Sequence, residues 1–81
     1  MPRKPNTALI YRRVPECLRL LREGADLTQR DLAEKMRKTQ SWVARCETGD
    51  RRIDIAEWIE WTLACGVSAT DALAELMSHR P

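Results

Sequence analysis

With 81 residues, 43% of them apolar, the chain has material for one modest core and not for two. Its net charge of +2 is too small to argue for nucleic acid by itself, but the charge is segregated: residues 1–52 carry thirteen Lys or Arg against seven Asp or Glu, and residues 53–81 one against five. No apolar run approaches the roughly 18 residues of a membrane span, no apolar signal segment is visible, and the scattered Cys17, Cys46 and Cys65 form no C-x-x-C pair. A soluble cytoplasmic protein is therefore expected.

In chain order, residues 1–14 hold Pro2, Arg3, Lys4 and Pro5 with little periodicity and are predicted to be a flexible basic arm, leaving 15–81 as the folded domain. A first helix is predicted to start near Pro15, a residue suited to a first turn, to run through Cys17, Leu18 and Leu21, and to stop at Gly24. A second opens at Thr28, with Asp31 three residues on as its capping-box partner, and places Leu32, Ala33 and Met36 at helical spacing. Arg37 and Lys38 leave room for a short turn only. Thr39 then caps a third helix, 39–47, whose inner face is Val43 and Cys46. Two helices this short cannot bury their apolar faces on each other alone, so they must cross against further helices. After the loop 48–52, Asp54 and Glu57 repeat the start signal for a fourth helix carrying Ile55, Trp58, Ile59, Thr62 and Leu63 to a stop at Gly66. Ser68 and Asp71 repeat it again for a fifth, with Ala72, Leu73, Leu76 and Met77. No segment alternates like a strand. The predicted fold is all-α, five helices, with a helix-turn-helix in its basic half, the charge distribution expected for contact with phosphates.

The succession LRLLREGADLTQRDLAEKM, KTQSWVARCETGDRR, IDIAEWIEWTLACGVSATDAL, spanning residues 18–76, resembles the Xre-type helix-turn-helix regulators, a family that includes phage repressors and Cro-like proteins. The joint spacing is far more specific than any single T-x-x-D or glycine. The resemblance implies a compact five-helix domain that binds double-stranded DNA, commonly as a homodimer on a two-fold related operator.

Helical geometry assigns the reading face. At about 100° per residue from Val43, Cys46 and Glu47 fall inward, whereas Ser41, at about 160°, and Arg45, at about 200°, point outward. Gln40, at the helix start, projects past the turn, and Ala44 and Trp42 flank the set. A glutamine amide fits N6 and N7 of adenine, an arginine fork fits O6 and N7 of guanine, a serine hydroxyl holds either a base or a phosphate, and the Ala44 methyl could meet thymine. Similar repressors also place Gln and Ser at the first two positions. The expected base readers are Gln40, Ser41, Ala44 and Arg45.

Lys38, Thr39, Trp42, Arg51 and Arg52 are the expected backbone contacts, with Gln29 added by the resemblance, since the family sets a glutamine at the start of its second helix against a phosphate. One of Arg51 and Arg52 could instead pack structurally, and Trp42 borders the core face, so it could pack there or stack on DNA. The resemblance further implies an ion pair between Arg22 and Glu47. Trp58 and Trp61 read as core or dimer contacts. Leu73, Leu76 and Met77 are the expected dimer seam. The family commonly has glycine where this chain has Arg37, so the second helix is expected to end differently here.

Nothing resembles catalytic apparatus: there is no nucleophile with a base, no phosphate-cradling loop and no metal spacing, and the single histidine, His79, lies near the C-terminus. No cofactor, metal or small-molecule ligand is expected. The reading is a DNA-binding transcriptional regulator, with repression by occlusion the simplest mechanism. The competing reading is an antitoxin or phage accessory protein that works mainly through a protein partner.

Overall fold

The computed structural model describes residues 10–78, which form five α-helices: α1 Val14–Gly24, α2 Gln29–Met36, α3 Gln40–Thr48, α4 Ile55–Ala64 and α5 Ala69–Ser78. No strand occurs among the described residues. Residues 1–9 of the expected arm, and His79, lie outside them.

Local chemistry starts the helices where the sequence predicts. The Thr28 hydroxyl accepts from Asp31 N at 3.0 Å and the Asp31 carboxylate accepts from Thr28 N at 2.9 Å, a complete capping box for α2. Asp54 and Glu57 form the same box for α4, at 2.8 and 2.9 Å. Thr39 Oγ1 accepts from Trp42 N at 3.0 Å to open α3, and Ser68 Oγ from Asp71 N at 3.2 Å to open α5.

α1 stops at Gly24, as predicted, and the left-handed residue just beyond it is Asp26, φ 60°, with Asp26 N donating to Glu23 O and Leu27 N to Arg22 O. Arg37 does not make α2 end differently. It takes the left-handed conformation itself, φ 58° and ψ 43°, with Arg37 N on Glu34 O at 3.2 Å and Lys38 N on Ala33 O at 2.8 Å, the paired bonds of a Schellman turn. Outside glycine that conformation costs about 1–2 kcal/mol. Satisfying two orphan carbonyls and aligning the next helix offsets it. Gly66, φ 77°, closes α4 as predicted.

The core is built from Leu18 of α1, Leu32 of α2, Val43 and Cys46 of α3, and Trp61 and Thr62 of α4, all fully buried. α2 and α3 cross each other, α1 backs α3, and α4 backs α2 and carries α5. The predicted apolar face of α4 splits. Trp58, Trp61 and Thr62 turn inward, while Ile55, Ile59 and Leu63 are exposed. A helix apolar nearly all round has no face of its own, and the widest side chains take the core because their polar atoms find partners there. Trp61 Nε1 donates to Leu18 O at 3.1 Å, and Trp58 Nε1 to Ala69 O at 3.2 Å.

The folded body begins before Pro15. Val14 is buried, and the Tyr11 hydroxyl accepts from Ile53 N at 2.9 Å, so the last residues of the 1–14 segment belong to the fold. Cys46 and Cys65 are buried free thiols and Cys17 is half-buried. Burial raises the pKa of all three, that of Cys65 to about 11, which keeps them protonated at neutral pH.

Candidate nucleic-acid interface

Gln40, Ser41 and Arg45 lie exposed on one side of α3, with Lys38 and Thr39 exposed in the turn before it. Ala44 is half-buried beside them. The turn fixes this presentation: the left-handed Arg37 swings the chain so that Thr39 can cap α3 immediately.

Behind the face runs a polar relay. Arg22 of α1 donates to Glu47 of α3 through Nε at 2.6 Å and Nη2 at 3.0 Å, and its Nη1 donates to Leu27 O at 2.8 Å. The Glu47 side chain is only 4% exposed, so this pair is an internal brace between α1 and α3. Its hydrogen bond to Glu47 raises the Arg22 pKa further. Gln29 Nε2 donates to the same carboxylate at 3.0 Å, and Gln40 Nε2 reaches Gln29 Oε1 at 3.4 Å.

A carboxylate can only accept, which orders the relay. Glu47 turns the Gln29 amide nitrogen toward itself, so the Gln29 oxygen faces Gln40. One N–H and the Oε1 of Gln40 remain for a ligand, the donor and acceptor pair that an adenine edge requires. Gln29, expected only at a phosphate, is thus also the residue that orients Gln40.

In the same first turn of α3, Trp42 turns to the body. It is half-buried against the core, its ring 6.1 Å from that of Trp61, with Lys38 Nζ and the Arg51 guanidinium each 5.0 Å from its centroid. The indole is thus packed among Trp61, Lys38 and Arg51, the core-side position that its place at the border of the inner face allows. Arg51 forks onto Glu57 at 3.0 Å through both terminal nitrogens and also donates to Arg52 O at 2.8 Å. Arg51 is thus engaged in an ion pair with the start of α4. Arg52 is exposed, its guanidinium 4.1 Å from the Tyr11 ring centroid.

Two participants escaped the sequence reading. Glu57 reads as a capping residue alone, and no spacing marks its second role, since Arg51 and Arg52 stand almost equally near it in sequence. Tyr11 falls in the segment assigned to the arm, yet with Arg12, Thr48, Gly49 and Arg52 it lines an open groove beside the end of α3. The expected dimer set does not share one face: Leu73 and Met77 are exposed, whereas Leu76 packs against the core. Among the described residues no helix is long and apolar enough to cross a membrane.

Comparison with known proteins agrees with this geometry. A family profile described as a helix-turn-helix domain matches residues 16–76. Among solved structures, an XRE-family like protein from Pseudomonas syringae pv. tomato str. DC3000 is similar, with 28% identity and a TM-score of 0.77 over 95% of this chain and 100% of that one. No curated protein matches the chain significantly. A capped helix pair crossing through a left-handed turn, a polar face on its second helix and a matched profile over most of its length together place this chain in the Xre-type helix-turn-helix family of DNA-binding transcriptional regulators.

Proposed function

We propose that the protein reads an inverted-repeat operator as a homodimer, each copy laying α3 in a major groove, and represses transcription in the cytoplasm by occluding polymerase. The observation that carries this reading is the outward set Gln40, Ser41 and Arg45, with the Gln40 amide already oriented by Gln29 and Glu47. Arg45 supplies a fork for guanine, Gln40 a bidentate edge for adenine, and Ser41 and Ala44 the contacts between. Lys38, Thr39 and Arg52, with the remaining N–H of Gln29, grip phosphates around the groove. Half-sites about one helical turn apart follow if the dimer sets the two α3 helices in successive grooves.

Selection of bound duplexes from a random pool at about 150 mM salt, where nonspecific phosphate attraction is suppressed, tests the reading. An enriched inverted repeat is expected. Arg45→Ala is expected to weaken that site by about 1–3 kcal/mol and to relax one base position, whereas Lys38→Ala weakens all duplexes alike. Folded protein that enriches nothing would sink the proposal in favour of a protein-binding module.

A further inference from the structure

Among the described residues, nothing covers an apolar stripe on α4. Ile55, Ile59 and Leu63 are 67%, 43% and 68% exposed, and their i, i+4, i+8 spacing stacks them along one side of the helix. None is needed by the core, which Trp58, Trp61, Thr62 and Cys65 fill from the other side. Soluble domains seldom leave such a stripe open without a use for it. A groove lined by Lys35, Met36, Arg37, Glu60, Leu63 and Ala64 runs beside it.

We propose that this stripe is the seam of the homodimer, covered by the same stripe of a second copy packed antiparallel about a two-fold axis at Ile59. The inference rests on the dimeric reading above and gives it a surface.

Three observations select a second copy as the occupant. The stripe is symmetric about its centre, with one large aliphatic residue four positions to either side of Ile59. A two-fold axis there sets Ile59 on Ile59 and Ile55 on Leu63 twice, the self-complementarity an isologous contact demands. The rim carries both signs, Glu60 beside Lys35 and Arg37, so copies related by the axis can offer opposite charges to each other. An anionic polymer or membrane surface would want a rim of basic residues alone, and Glu60 stands in this one. The α5 set offers no comparable match, because Leu76 is spent on the core.

The test uses the full chain. Ile55→Glu and Leu63→Lys both fall on exposed positions, so neither disturbs the packing of α4, and circular dichroism checks the fold. Sedimentation equilibrium at tens of micromolar is expected to give twice the 9.4 kDa chain mass for the wild type and the single mass for each variant. An equimolar mixture of the two variants is expected to recover dimer, because position 55 of one copy meets position 63 of the other. A monomeric wild type, variants that still dimerise, or a mixture that stays monomeric would overturn the proposal. Leu73→Glu runs as the control for α5: retained dimer is expected, and its loss with both α4 variants still dimeric would move the seam there. Binding to a single half-site duplex, measured in parallel, separates the two inferences. Variants that are monomeric yet bind a half-site like the wild type assign the defect to the seam. Association that follows the stripe in a protein that binds no duplex would leave the seam standing and end the operator reading.

Discussion

Two arginine–glutamate forks flank α3, and they hold different things. Arg22 and Glu47 join α1 to α3 across 25 positions, with side chains 11% and 4% exposed; Arg51 and Glu57 join a loop to the first turn of α4 across six positions, with 35% and 14% exposed. The chemistry is the same and the environment is not. Removing one partner of the inner fork leaves a charge where little water reaches it, whereas water and salt cushion the outer one. The inner fork also passes its polarity outward through Gln29 to the reading face, while the outer one holds a loop and Trp42 in place.

The comparison predicts unequal damage. Glu47→Ala is expected to cost about 3–5 kcal/mol in urea unfolding, the penalty of an uncompensated buried charge. A loss near that of a surface pair would show that the inner fork is solvated and the comparison mistaken. Gln29→Ala leaves both forks intact and frees Gln40 to turn over. Discrimination at the one base opposite Gln40 is expected to fall by about 1–3 kcal/mol while preference at the base opposite Arg45 is unchanged, as read by competition among single-base variants of the selected site. Equal loss at both bases would reduce Gln29 to a phosphate anchor. The smallest effect belongs to the outer fork. Its hydrogen bond from Arg51 holds Glu57 below the ordinary carboxylate value of 4.5, so the folded form binds its proton less readily than the unfolded form. That contribution is full above the ordinary value and is lost as pH falls through the lowered one. Wild type is expected to melt slightly above Glu57→Gln at neutral pH, and the gap to close on acidification; a gap that widens in acid would contradict the assignment.

What could be read from the sequence was what is local. Thr28 with Asp31, Asp54 with Glu57, Thr39 and Ser68 each find a partner within three residues, so the helix starts, the all-α class and the outward face of α3 follow from short spacings. The rest depends on distant neighbours. Trp61 faces inward because its N–H meets a carbonyl 43 positions away, and no spacing within α4 could separate it from Ile59. α1 stops at Gly24 as read, but the left-handed residue after it is Asp26 and not a glycine, since the register of the last turn decides where the chain reverses. Arg51 and Arg52 are chemically identical in sequence, and only the position of Glu57 and of the Tyr11 ring distinguishes them.

The placement of Trp42 also gives the protein an optical reporter. Trp58 and Trp61 are buried with their N–H groups bonded to backbone carbonyls, so their surroundings change little unless the domain unfolds. Among the described residues Trp42 alone of the three has cations against its ring, and one of them, Lys38, stands in the turn proposed to grip phosphate. A phosphate that draws Lys38 away removes a charge about one ring-width from the indole. If the proposed grip holds, intrinsic emission is expected to follow it with no dye and no label, and to be blind to the base opposite Arg45.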